Sequence, residues 1–162
     1  MGLSKKVILL GHFGVGKTSL IQRFVHQKFS EKYLTTIGVK IDKKVITVEG
    51  RELSMLIWDI AGESTQQKVP ESYKLGAHGA IYVFDLTRPS SYDLIEQEVS
   101  HLKNILPPIP FVLVGNKRDL LTEEEFNALQ KKLPAYDYIF SSAKTGEGVE
   151  EMFFYLAKQM LQ

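Results

Sequence analysis

The feature that most limits what this chain can fold into is the octet Gly11-His-Phe-Gly-Val-Gly-Lys17-Thr18, set between an apolar run and a helical stripe. It satisfies G-x-x-x-x-G-K-[ST] in the setting that pattern needs, directly after a strand and directly before a helix. There the backbone N–H groups of the loop and of the helix N-terminus form a concave anion site. Gly14, Val15, Gly16, Lys17, Thr18 and Ser19 are therefore the phosphate-side candidates. Lys17 can reach the β- and γ-phosphates of a nucleotide, and the Thr18 hydroxyl can ligate magnesium. The bland alternative is a glycine-rich turn with an unrelated lysine. With glycine near 7% of residues, a chain this long matches the pattern by chance on the order of once in a few hundred, so the phosphate reading wins.

The rest of the chain alternates strand and helix around that loop. Lys6–Leu10 reads as a short buried strand, and Lys17–His26 places Leu20, Ile21, Phe24 and Val25 on one helical stripe. Val39–Val48 alternates, Glu49-Gly50 is a hairpin turn, and Leu53–Ile60 is the return strand. Ala80–Leu86 and Phe111–Gly115 are continuous apolar runs, the pattern of strands buried on both faces. Between them Ser91–Ile105 reads as a helix stopped by Pro107-Pro108, and Thr122 before three glutamates as a helix N-cap. Tyr138–Phe140 is a last strand and Val149–Leu161 a last amphipathic helix. This order predicts one α/β domain over 1–162, with a mostly parallel, doubly wound sheet and one antiparallel edge strand. Ligands of such sheets sit beyond the carboxyl ends of the strands.

Bulk properties narrow the class further. With 162 residues, 44% of them apolar, the chain can bury a core and is not a disordered segment. A net charge of +1 argues for neither nucleic acid nor an acidic membrane surface as partner. The absence of cysteine excludes disulfides, thiolate metal sites and prenyl or palmitoyl attachment to these residues. Lys6 stands where a myristoylation signal needs Ser or Thr, and no apolar run has the length of a membrane span. A soluble, cytoplasmic protein without a membrane anchor of its own is expected.

Two further motifs fall at strand ends. Asp59 closes an apolar strand, where a carboxylate is otherwise out of place, and can hold magnesium through a water. Gly62, three residues on, can bring its N–H up to a γ-phosphate because it has no side chain. Asn116-Lys117-Arg118-Asp119 follows the Phe111–Gly115 strand. The Asp119 carboxylate can accept from the ring N–H and exocyclic amine of guanine, and adenine would leave it buried and unpaired. Thr36, in Tyr-Leu-Thr-Thr-Ile, and Ser142-Ala143-Lys144 complete the chain order of a guanine-nucleotide site. Phe29 in a polar stretch reads either as a core anchor or as a lid across the base. The four histidines lack ligand spacing and are taken as structural or exposed.

These motifs resemble those of the Ras superfamily of small GTPases, and their wording is that of its Rab branch. It is carried by Thr36-Ile-Gly-Val39, Ile57-Trp58-Asp59, Gly76-Ala-His-Gly-Ala80-Ile81, Gly115-Asn-Lys-Arg-Asp-Leu120 and Ser141-Ser-Ala-Lys144. The resemblance covers essentially the whole sequence. It implies the P-loop NTPase fold of small G proteins, six strands with about five helices, and a switch that binds GTP or GDP with Mg2+ and hydrolyses GTP. Two switch segments, roughly 29–40 and 59–75, would be read by effector and regulator proteins. It further implies that Thr36 closes on magnesium and the γ-phosphate, that Phe29 covers the base, and that the Ala143 N–H meets the guanine carbonyl. Ser142 would brace Asp119, with Lys117 and Lys144 lying against the nucleoside. Lys17, Thr36, Gly62 and residue 63 would serve hydrolysis. Of three aromatics on the family's effector face, Trp58 and Tyr73 match here, and Ile41 stands at the third position.

The chain departs from the pattern in places that bear on catalysis. The family's water-orienting glutamine is Glu63 here, which cannot donate to a γ-phosphate and, ionised, faces a polyanion. The small P-loop residue is Phe13, whose bulk crowds the place of the attacking water and of an incoming arginine. Slow intrinsic hydrolysis and resistance to arginine-finger activation are expected. The opposing reading gives Glu63 a raised pKa and a base role, or brings in Gln66 or Gln67. The segment Ser64–Pro70 also abandons Rab wording, so other regulators than those of ordinary Rabs are expected. No cysteine-ended tail follows the last helix. A trimmed chain and a naturally soluble relative both fit. A module that holds GTP without turning it over is the second functional reading. An ATP-using phosphotransferase is a poor third, because Asp119 would reject adenine.

Overall fold

The computed structural model describes residues 2–32, 36, 38–62 and 70–162. Six strands, β1 (Leu3–Leu10), β2 (Val39–Val48), β3 (Arg51–Ile60), β4 (Gly79–Asp85), β5 (Phe111–Asn116) and β6 (Tyr138–Phe140), form one sheet in the order β2-β3-β1-β4-β5-β6. β2 and β3 pair antiparallel and every other neighbour pair is parallel, as the alternation of elements predicts. The β2–β3 hairpin turns at Glu49 and Gly50, both at positive φ (50° and 77°). That two-residue geometry matches the twist of the flanking strands.

Burial on both faces explains the apolar runs. Val7 and Leu9 of β1 face one core, with Leu20, Ile21 and Phe24 of α1 (Lys17–His26) and Met152, Phe153 and Leu156 of α4 (Val149–Met160). Ile8 and Leu10 face the other, with Val99 and Leu102 of α2 (Ile95–Ile105) and Leu129 of α3 (Glu123–Lys132). Each such fully buried side chain contributes roughly 1.5–3 kcal/mol. Phe24 and Phe153 stack with ring centroids 4.1 Å apart, joining the first and last helices under the sheet. α3 begins as expected: Thr122 accepts from the Glu125 N–H at 3.1 Å, and the Glu125 carboxylate accepts from the Thr122 N–H at 3.2 Å. This reciprocal capping satisfies two otherwise orphaned donors.

One expectation is corrected. The helix expected from Ser91 begins at Ile95, and Pro89–Ser91 form a single 3-10 turn. The Ser91 hydroxyl donates to the Arg88 carbonyl at 2.7 Å and accepts from the Asp85 N–H at 2.9 Å, which holds Ser91 in the turn after β4. Such side-chain bonds compete with helix. Four α-helices are present among the described residues. After β3 those residues hold only the 3-10 turn Glu71–Lys74, enclosed between Pro70 and a Gly76 at φ 73°. No helix among the described residues is long and apolar enough to cross a membrane.

One core position is poorly satisfied. Tyr82 on β4 is 2% exposed and its hydroxyl has no hydrogen-bond partner among the described residues. Burial, and after it the Glu98 carboxylate, push the phenol well above its ordinary range. A desolvated, unpaired hydroxyl costs about 1–3 kcal/mol. Tyr82→Phe is therefore expected to raise stability by about 1 kcal/mol in urea unfolding; a loss of stability would mean that the hydroxyl is satisfied in solution.

Candidate nucleotide and cation site

All the motifs converge at the carboxyl ends of β1, β3, β4, β5 and β6, around a cavity of about 300 Å3. The loop from Gly11 turns into α1 through Gly16, which caps the helix at φ 102° with no side chain and no side-chain cap bond. The first-turn N–H groups of α1 are thus left to an anion. A Cβ on Gly16 would lie 2.3 Å from the Asn116 amide nitrogen, so glycine is required here by contact. That amide donates to the Val15 carbonyl at 3.0 Å. Its oxygen accepts from the Ser141 hydroxyl at 3.1 Å and the Ala143 N–H at 3.3 Å. Asn116, 1% exposed, therefore ties the phosphate loop to the loop after β6. Val15 has its side chain in the core, so only its backbone is offered to a ligand.

Two lysines span the loop. Lys17, 6% exposed, donates to the carbonyls of Gly11 at 2.9 Å and His12 at 3.1 Å. Lys117, at φ 69°, donates to the Gly14 carbonyl at 3.1 Å and pairs with the Asp85 carboxylate at 2.9 Å. Asp85 is 3% exposed and also accepts from the Thr87 N–H and hydroxyl. Sequence reasoning missed Asp85. The signal was there, since it is a carboxylate in an otherwise apolar run, the argument that picked out Asp59. Also missed were Ser141, Arg88, whose guanidinium holds the Phe13 carbonyl, and Arg23, which bonds the carbonyls of Ala143 and Lys144.

The base-reading candidates sit across the cavity. Asp119 accepts from the Ser142 hydroxyl at 2.7 Å through one oxygen. Ser142 is fully buried and does not line the cavity, which its bonded partner Asp119 does. Ala143 and Lys144 line the cavity, although the Ala143 N–H is directed at Asn116. Phe29 packs partly buried on the core, as the first of its two readings has it, and also lines the cavity. At the mouth, Lys144 pairs with Glu31 at 3.0 Å, which raises the pKa of the exposed lysine.

A cation corner lies beside the phosphate loop. The Thr18 hydroxyl is 2.5 Å from that of Thr36 and donates to Asp59 Oδ2 at 2.6 Å; the Thr36 hydroxyl donates to the same oxygen at 3.0 Å. Asp59 Oδ1 is buried without a hydrogen-bond partner among the described residues. Hard oxygens clustered around an orphaned carboxylate oxygen suit Mg2+, which takes few protein ligands and keeps waters. Among the described residues no three His, Cys, Asp or Glu side chains converge elsewhere as a metal cage. Gly62 also lines the cavity, and a Cβ there would lie 2.4 Å from the Phe13 nitrogen. Phe13 is 52% exposed on the cavity wall. Ser19 lines it too. Glu63, Gln66 and Gln67 lie outside the described residues.

On the sheet's outer face, Ile41 and Trp58 are cross-strand partners, Tyr73 lies 6.4 Å from Trp58, and the Lys6 ammonium stands 3.6 Å over the indole. Ile41 is 49% exposed, and Ile41 and Tyr73 both neighbour Trp58.

The sheet order and the loop together define the small G-protein type of P-loop α/β fold. A model of the Ras family matches residues 6–162. The chain is 37% identical to the Ras-related protein Rab-4 of Dictyostelium discoideum, over 91% of this chain and 75% of that protein. RabJ of the same organism is 37% identical over 99% of this chain and 65% of its own length. The Ras-related protein SEC4 of Saccharomyces cerevisiae is 35% identical over 94% and 73%. The chain belongs to the Ras family.

The Asp85–Lys117 pair gives a direct check. Asp85→Asn leaves a lysine next to the phosphate loop without its carboxylate, and loss of a charged hydrogen bond is worth about 2 kcal/mol. Urea unfolding is expected to show a loss of that size, with guanine nucleotide released about tenfold faster.

Proposed function

We propose that this protein is a guanine-nucleotide switch that binds GTP and GDP with Mg2+ and hydrolyses GTP slowly. The observation that carries it is the cation corner. Thr36 comes from the segment between α1 and β2, yet its hydroxyl meets Thr18 and Asp59 within hydrogen-bond distance. A segment that folds over the cavity when its hydroxyl finds a ligand, and leaves when that ligand is lost, is a two-state element that a partner can read.

In this reading the N-terminal N–H groups of α1 and the Lys17 ammonium hold the β- and γ-phosphates. Bound Mg2+ supplies charge neutralisation on the phosphate oxygens; Thr18 and Thr36 would ligate it, and Asp59 would hold one of its waters. Asp119, braced by Ser142, takes the ring N–H and amine of guanine, and Phe29 closes over the base. Lys117 and Lys144 flank the nucleoside. Gly62 offers its N–H to the γ-phosphate from beside the Phe13 backbone. Effectors and regulators read the two switch segments and the Ile41, Trp58, Tyr73 patch. A cytoplasmic setting belongs to the same reading.

Turnover is the weak part of the machinery. The Phe13 ring stands on the cavity wall where a small residue would leave room for water or an arginine, and Glu63 cannot donate to the γ-phosphate. Phe13's position also favours a second reading, a module that holds GTP without turnover. Single-turnover hydrolysis decides. The proposal expects conversion no faster than about 10⁻³ s⁻¹, with Glu63→Gln faster than wild type. A wild-type rate well above that, or a slower Glu63→Gln, overturns the assignment of these residues. GTP still bound after many hours favours the non-cycling module.

A further inference from the structure

Arg23 lies on α1, outside every motif of the site, and makes the longest-range side-chain bonds to the base-reading loop. Its Nε donates to the Ala143 carbonyl at 2.7 Å and its Nη2 to the Lys144 carbonyl. One rigid guanidinium thus holds two successive peptide units of the loop that lines the cavity.

The orientation of those peptides has a chemical consequence. The peptide bonds are trans, so each C=O points opposite to the N–H of the same unit. With the Ala143 carbonyl drawn back to Arg23, the Lys144 N–H points the other way, and it donates to no protein acceptor among the described residues. The Ala143 N–H, by contrast, is directed at Asn116 at 3.3 Å. With the Lys144 carbonyl also held, the Thr145 N–H donates to the Ser142 hydroxyl at 3.0 Å, and that hydroxyl donates to Asp119 at 2.7 Å.

We infer that Arg23 is a specificity-determining positioning residue, which turns the 143–144 peptide so that its N–H meets a 6-oxo purine and stiffens the hydrogen-bond chain that braces Asp119. This rests on the guanine-nucleotide reading above. Arg23 need not touch the ligand. It acts by holding the donor that a 6-oxo group needs and that a 6-amino group cannot use.

The test is the affinity of nucleotide-stripped protein for GDP, IDP and 6-thio-GDP, by competition against a fluorescent GDP. Sulfur is a weak acceptor, so 6-thio-GDP reports the 6-position with the ring N–H and 2-amine intact. IDP lacks the 2-amine and reports the Asp119 side. Arg23→Ala is expected to weaken GDP about tenfold, to bring the GDP to 6-thio-GDP preference toward unity, and to shrink the GDP to IDP preference less. Arg23→Lys should fall between, because one ammonium cannot hold both carbonyls in the guanidinium's fork. A common factor of loss for all three ligands, or none, overturns the proposal and makes Arg23 a packing residue. If Arg23→Ala does not fold, the Arg23→Lys preferences decide by the same criterion. Failure of the wild-type protein to prefer any guanine nucleotide over ADP would instead sink the reading of the site itself.

Discussion

The Asn116 side chain is the constraint on which the site's geometry depends. It lies at the end of β5 and touches the phosphate loop after β1 and the loop after β6. Three segments from distant parts of the chain converge on one buried amide, and each of its two polar atoms is used. A buried amide leaves little slack, since any displacement of one partner strands a desolvated polar group. The contact with Gly16 tightens this further, because no side chain fits between loop and amide. Phosphate-side and base-side residues are thereby held at a fixed separation before any ligand enters.

The sheet makes that convergence affordable. β1 and β4 are buried on both faces, so their apolar alternation serves two cores at once. The polar strand residues buried most completely stand where the strands end, and there each has a partner: Asp59 with two threonine hydroxyls, Asp85 with Lys117 and Thr87, Asn116 with the neighbouring loops. Parallel strands put all those ends on one edge, which is why residues from 13 to 144 meet in one cavity. Tyr82 and Asp42, polar and mid-strand, depart from this division, each with a buried oxygen that has no hydrogen-bond partner among the described residues.

Much of the fold could be read from the chain because its signals are local. β2 and β6 begin and end as the alternation indicates, the Thr122 cap sits where its acidic first turn placed it, and the antiparallel edge follows from a two-residue turn. The phosphate loop, Asp59, Asp119 and Thr36 announce themselves through residue type and setting. What escaped was carried by contacts between segments. The Ser91 turn displaced a helix start because of a hydroxyl bonded to the end of β4. Asp85 and Arg23 act through Lys117 and through two carbonyls, and nothing in their own neighbourhoods names those partners. Phe29 remained ambiguous in the sequence because its position packs it on the core and also sets it on the cavity wall.

Sequence alone determined the class of sheet, the Ras-family motifs and the chemistry available at each strand end, because periodicity, turn residues and side-chain type are properties of short segments. Only the tertiary structure decided which of these groups are free to meet a ligand. It directed the Ala143 N–H to Asn116, left the Lys144 N–H without an acceptor among the described residues, placed the Thr36 hydroxyl against Thr18 and Asp59, and set Phe13 on the cavity wall. Those outcomes depend on distances between residues far apart in the chain, and such distances are fixed by how the strands stack and how their ends are tied.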